Sequence, residues 1–405
     1  MKYIIITIIL VVFVSDDSFM FGSNENNLYL FSKYLAYVFL IILFSRTLLF
    51  TSVNSLLPLL VMLAQIMLTG LVNMDFSGGY VYQAMTLILA FAISKKIQFT
   101  IFAQNFVLVI YYLSIASLAI YALAILYPYA LTFVPIITNS AGVRAYNFII
   151  CTVYQGDGYS LIRNTGIFRE PGVYMIYLNV AIIFCLFTRI AIRKKYIPIF
   201  IIALISTMST GGIICAIGIF GVHFFLTNAD KKNSKEKIAN YVLLIFIIVT
   251  LYFANNNIIS DKIFGKISST SHEFESTLAR IASLFVPFYI FLSNPIFGVG
   301  LSDFSTDFLQ NSIRFFGMPF ASNGTATNTI SNKFATYGIF FGILFMYSIY
   351  GLVKKHFVLS NKFSIYFLFI LFIALISNED MRYSILFNIL VFYGLGKNLQ
   401  TINHT

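Results

Sequence analysis

The chain has 405 residues, of which 59% are hydrophobic and only 10% charged, with a formal net charge of +11. A water-facing surface needs about 25% charged residues, so a soluble globular protein is excluded and lipid must be the main solvent. The positive balance does not mark a nucleic-acid partner, because its distribution follows membrane orientation, as shown below.

The first apolar stretch, Tyr3 to Val14, follows Lys2 and precedes Ser15-Asp16-Asp17. No small-x-small cleavage pattern follows, so it reads as an uncleaved first span. Further apolar runs lie near 28–45, 48–69, 80–94, 100–127, 172–190, 196–210, 211–227, 238–254, 336–353, 363–377 and 383–396, with the first extended to 3–22. Backbone groups in lipid must bond internally, so these runs are predicted helices. The expected fold is an all-α integral membrane protein, one polytopic domain over 1–405 with about twelve transmembrane helices.

The run from Tyr196 to Leu226 is flanked by Arg189, Arg193, Lys194 and Lys195 on one side and by Lys231, Lys232, Lys235 and Lys237 on the other. Basic flanks stay cytoplasmic, so two crossings are expected, with a turn at Ser209-Thr210-Gly211-Gly212. With that choice 16 of the 26 basic residues are cytoplasmic against two acids, Asp230 and Glu236, and both termini are cytoplasmic. Tyrosine, at 26 residues and with no tryptophan, must supply the interfacial aromatic belts. Cys185 and Cys215 sit in apolar runs and read as core residues, as does His223.

Two connections are long, 128–171 and 255–335, and both fall on the non-cytoplasmic side. Long loops in a compact bundle are usually functional. Six of nine arginines lie on that side (Arg144, Arg163, Arg169, Arg280, Arg314, Arg382) but only four of 17 lysines. Guanidinium binds phosphate bidentately, so an anionic lipid headgroup or diphosphate is expected there. In the second loop Thr270 and Glu273 form a capping box opening a helix over 271–293. Its apolar stripe is Phe274, Leu278, Ile281, Phe285 and Phe288, opposite Glu273, Thr277, Arg280 and Ser283. This helix is expected to lie along the interface, kinked at Pro287 and ended by Asn294-Pro295. Asn378, Glu379, Asp380 and Arg382 read as a solvated turn.

Three segments carry a resemblance. Residues 163–171 read Arg-Asn-Thr-Gly-Ile-Phe-Arg-Glu-Pro before a helix; 294–300 read Asn-Pro-Ile-Phe-Gly-Val-Gly; 328–338 run from Asn328 to Tyr337-Gly338 into a span. Their order and side of the membrane resemble the O-antigen polymerase (Wzy-type) family of the O-antigen ligase-like superfamily. The resemblance implies a GT-C-like, metal-independent membrane glycosyltransferase of the bacterial inner membrane, working at its periplasmic face in lipopolysaccharide biosynthesis. Its substrate would be an oligosaccharide linked to undecaprenyl diphosphate, with a chain-length regulator and a flippase as partners, and no cofactor. Ligases of the superfamily rely on a histidine in the large loop. Here only His272 lies there, ahead of Arg280, and Thr327 stands before Asn328, which favours polymerase over ligase.

Such a reaction needs charge stabilisation on the departing diphosphate and a base for the attacking hydroxyl. Arg280 and Arg163 are the expected diphosphate clamps, Arg169 a weaker one, and Glu170 the base, with helix-dipole stabilisation as its structural alternative. Arg314, Asp303 and Asn328 are sugar-binding candidates, Asn328 equally a helix cap. Gly298 and Gly300 read as turn residues. A flippase or transporter of the same lipid-linked sugar is the main rival; it predicts broken helices and ionisable groups within spans.

Overall fold

A computed structural model describes residues 2–20, 27–49, 51–138, 142, 144–154, 162–188, 194–228, 273–359 and 361–396. The expected span at 238–254, His272 and the Thr270 half of the capping box lie outside the described residues. The fold is mostly helical: α1 (Lys2–Val14), α2 (Asn27–Leu49), α3 (Val53–Val72), α4 (Gly78–Lys96), α5 (Phe99–Leu126), α6 (Pro171–Phe187), α7 (Ile197–Ser206), α8 (Thr210–Asn228), α9 (Glu273–Ser293), α10 (Gly300–Phe316), α11 (Thr329–His356), α12 (Lys362–Ile376) and α13 (Ile385–Leu395). Among the described residues four helices are long and apolar enough to cross a membrane, over Phe31–Leu48, Val53–Val72, Phe99–Leu126 and Thr329–His356. Several shorter apolar helices, α6, α8, α12 and α13 among them, accompany them.

Helix α6 is the central column. Every residue from Pro171 to Phe187 except Leu186 is buried, as befits a helix that is apolar all round. Its neighbours α5, α7 and α8 pack along it. Tyr174 shares hydroxyl hydrogen bonds with Ser114 and Ser117 of α5, and Phe184 meets Phe99 and Phe106 edge-on.

The connections sort into two ends. At one, Phe357 bridges to Thr188, and Tyr393 donates to the carbonyl of Ile97 at 2.7 Å. At the other, Arg169 reaches Asp16 and the Asp380 carbonyl, Arg163 reaches Thr207, and Asp75 binds Leu301 and Ser302. This second end gathers segments assigned above to one side of the membrane, and it carries the sheet described next.

Four expectations need correction. The first long connection, expected as a loop of an all-α protein, holds a 3-10 turn over Pro128–Phe133 and an antiparallel meander, β1 (Ile136–Thr138), β2 (Arg144–Asn147), β3 (Thr152–Tyr154) and β4 (Arg163–Gly166). Strands of three or four residues are too short to show a period of two in the sequence. The predicted first span 3–22 is helical only to Val14; Ser15 to Phe19 instead turn back onto the segment before α6, with Phe19 N–H bonded to the Ile167 carbonyl at 2.9 Å. Helix α7 has ten residues, roughly 15 Å at 1.5 Å each, half a bilayer core, and the chain breaks at Thr207–Ser209, with Met208 at φ 51°. Helix α11 starts at Thr329, inside the predicted loop, and is interrupted at Gly338 (φ 79°, ψ −175°).

That interruption is filled by the Asn-Pro-Ile-Phe-Gly-Val-Gly segment. Val299 N–H donates to Ala335 O at 2.9 Å and Ile339 N–H to Pro295 O at 2.8 Å. Gln65 and Thr69 of α3 donate to the carbonyls of Tyr337 and Phe297 at 3.0 and 2.9 Å. The freed backbone groups are thus paired, as non-helical backbone buried in a membrane protein requires. Gly298 and Gly300 take positive φ, as read from the sequence.

Helix α9 ends at Ser293, before Asn294-Pro295, and runs through Pro287. Its faces are the reverse of an amphipathic helix in water. Ile281, Phe285 and Phe288 are exposed, whereas Ala282, Ser283, Val286 and Ile290 are buried near α11, to which Ser331 ties Ser283. Lipid satisfies large apolar side chains, so the small and polar face does the packing.

Candidate functional site

The site is built from the 163–171 segment upward. Asn164 turns inward and donates to Ser117 and Ser206 at 3.2 and 2.9 Å, while its Oδ1 accepts from Gly166 N–H. Thr165 bonds Thr152 of β3. Phe168 lies 4.3 Å from the Tyr177 ring and stacks on Tyr174 at 5.4 Å. With these side chains fixed in the core, Arg163, Arg169 and Glu170 are left at the rim, and Pro171 opens α6 with Glu170 as its N-cap residue. The Glu170 side chain makes no capping bond.

The three arginines differ in what holds them. Arg169 is an internal brace: it donates to Asp16 Oδ2 at 3.5 Å and to the Asp380 carbonyl at 2.5 Å. Burial opposes its charge, but Asp16, Glu170, Asp17 and Asp380 outweigh that and raise its pKa. Arg163 spends only Nε, on the Thr207 carbonyl at 2.9 Å; its terminal nitrogens meet no partner among the described residues. Burial lowers its pKa, and Arg280 adds to this against the pull of Glu379 and Glu170. Arg280 reaches in from α9, an exposed residue with no side-chain hydrogen bond or ion pair among the described residues. It sits one turn before Ser283, which Thr327 and Ser331 tie to the start of α11.

The turn 377–384 is where the structure overturns the sequence reading. It is not solvated. Glu379 is 5% exposed. Asp380 receives Arg382 Nε at 3.0 Å on each oxygen and Nη2 at 2.8 Å, and burial of that carboxylate is outweighed by Arg382, so its pKa falls. Thr329 clamps the turn, donating to the Glu379 carbonyl at 2.6 Å and accepting from Met381 N–H at 2.7 Å. Burial, then the Glu170 charge, pushes the Glu379 carboxyl up to about 8, against Arg280, Arg169 and Arg163. Four charged groups from two other parts of the chain, the 163–170 segment and α9, therefore act on one carboxyl. The available signal was a cluster of charged residues, Glu379, Asp380 and Arg382, between two apolar runs of a chain with 10% charge.

The remaining candidates lie elsewhere. Arg314 is on the exposed side of α10, 5.7 Å from the Tyr289 ring and bonded to its hydroxyl at 3.1 Å. Asp303 is exposed on the same helix, beside Asp307. Neither joins the arginines through any described hydrogen bond or ion pair. Asn328 is buried and caps α11, accepting from Ser331 N–H at 3.0 Å, so its structural alternative is the one seen. Among the described residues no group of three or more His, Cys, Asp or Glu gathers as a metal site, and Cys151, Cys185 and Cys215 are buried free thiols. No family model and no curated protein matches this chain.

Proposed function

We propose that the protein is a surface-polysaccharide polymerase of the Wzy type, with about twelve spans in a GT-C-like fold. It transfers a growing glycan from undecaprenyl diphosphate onto a new lipid-linked repeat unit at the periplasmic face of the inner membrane. The observation that carries this reading is that Arg163 and Arg280, from separate elements, both act on the charge of the buried Glu379, while among the described residues neither guanidinium bonds a side chain. Two like charges held together this way are stabilised by an anion between them, and a diphosphate has the charge and the oxygens to accept from both. Glu170 and Glu379 supply carboxyl groups beside that anion for the attacking hydroxyl. Arg163 and Arg280 supply the positive charge that the departing diphosphate needs.

A second reading, a transporter of the same lipid-linked sugar, draws support from the interruption of α11 at Gly338, with Lys333 buried five residues before it. Surface polysaccharide profiles of a host lacking the gene separate the two. A polymerase null makes a single capped repeat, and the wild-type gene restores a ladder. A transporter null delivers no repeat. Long chains left on the carrier would indicate a ligase. Arg280→Ala and Arg163→Ala, expressed at the wild-type level, are expected to lose the ladder, with about 100-fold less transfer in vitro.

A further inference from the structure

The end of the bundle that bears the sheet buries three carboxyl groups, Asp17, Asp75 and Glu379, and the first two are fully used by the fold. Asp17 accepts the hydroxyls of Tyr177, Ser384 and Ser15 at 2.6, 2.5 and 2.9 Å. Asp75 accepts from Leu301 N–H, Ser302 N–H, the Ser302 hydroxyl and the Tyr80 hydroxyl. Glu379 differs: among the described residues no donor bonds its carboxyl, although its backbone is pinned by Thr329. Its Oε1 lies against the Cα of Gly172, in the space that a Cβ there would need. Glu379 is thus a 5%-exposed carboxyl that the fold does not use as an acceptor, and its oxygens are left to accept from a ligand hydroxyl.

We infer that Glu379, rather than Glu170, accepts the proton of the attacking sugar hydroxyl, an assignment that rests on the glycosyl-transfer reading above. In this step the acceptor oxygen forms a bond to the anomeric carbon of the donor glycan. The bond from that carbon to the diphosphate oxygen breaks, its electron pair leaving with undecaprenyl diphosphate against Arg163 and Arg280. The hydroxyl proton passes to Glu379, which returns it to water after release. The groups facing Glu379 are Arg163, Arg169 and Glu170 before α6, Arg280 on α9, and Asp380 and Arg382 on its own turn. Lys333 of α11 donates to the Arg382 carbonyl at 3.2 Å, and Asp16 and Asp17 stand behind Arg169. Glu170, half-buried at the rim, is a charge neighbour of Glu379 and of the arginines.

The test uses full-length protein in lipid nanodiscs with synthetic lipid-linked repeat units, following kcat and KM from pH 6 to 9.5. Wild type is expected to gain kcat with pH, with a midpoint near 8. Glu379→Gln should lose about 100-fold or more in kcat with KM little changed, and Glu379→Asp should keep partial activity with a displaced midpoint. A wild-type profile that is flat over this range overturns the assignment, as does Glu379→Gln within threefold of wild type, or loss of the pH limb in Glu170→Gln instead. If wild type polymerises while one of these results is found, only the Glu379 assignment falls. If wild type makes no polymer from competent substrate, the polymerase reading falls and takes the assignment with it.

Discussion

A buried carboxyl held neutral by its surroundings leaves a thermodynamic trace. The unfolded chain ionises Glu379 near pH 4.3, whereas burial and Glu170 hold the folded group up to about 8. Between those values the folded state binds more protons, so the group lowers stability as pH rises through that window. Glu379→Gln is therefore expected to raise the melting temperature relative to wild type more at pH 8.5 than at pH 5, read by differential scanning fluorimetry, while activity is lost. Arg163 and Arg169 should separate in the opposite sense. Arg169 is paired with Asp16 and the Asp380 carbonyl, so Arg169→Ala should destabilise by about 3 kcal/mol. Arg163 has only one backbone bond, so Arg163→Ala should leave the melting point close to wild type. Residue type and side of the membrane were enough to select Arg163, Arg169, Arg280 and Glu170 from sequence. Glu379 escaped because a short polar turn between apolar runs reads as solvated, and only the Thr329 clamp and the lid of Arg382–Asp380 show it buried.

At the scale of elements, the helices were legible because lipid demands long apolar runs, but their interruptions were not. The break in α11 depends on Gly338, whose Cβ would collide with the Ile296 carbonyl at a φ of 79°. Gly338→Ala is expected to destabilise by about 2 kcal/mol or more, measured as a lower midpoint in thermal unfolding. Helix α10 was missed because its buried positions, Phe304, Phe308 and Ser312, alternate with a strongly polar face. Its N-terminus is moored by Asp75, whose oxygens accept from Leu301 N–H, Ser302 N–H, the Ser302 hydroxyl and Tyr80 at 2.8, 2.9, 2.7 and 3.0 Å. Burial opposes that charge, but the Ser302 bonds win and bring the Asp75 carboxyl down to about 2. A depressed carboxylate stabilises above its unfolded pKa and loses this as pH falls toward 2. Asp75→Asn should therefore lower stability at pH 7 while narrowing the gap to wild type at pH 3. The small sheet stayed hidden because its strands are shorter than any pattern that marks them.

For the whole molecule, the positive-inside distribution gives an expected side for each connection, and the structure groups those expected on one side at one end of the bundle. Single cysteines at Met74, on the end bearing the sheet, and Gln98, on the other, make the assignment measurable, since the native thiols are buried. Met74→Cys is expected to react with an impermeant maleimide in cells whose outer membrane alone is permeabilised, and Gln98→Cys only after the inner membrane is opened. The reverse labelling would invert the expected topology and overturn the proposed periplasmic placement of the site. The closure of that end has a further consequence for synthesis. Asp17 is satisfied in part by Ser384, 367 residues later, and the Arg169 brace needs Asp16 from one end of the chain and Asp380 from the other. A nascent chain threading into the bilayer thus carries its acidic first turn and its basic middle segment without their final partners until the last helical hairpin leaves the ribosome. The proposed site is incomplete before that moment, and a chain stalled at residue 377 should be a preferred target of membrane proteases.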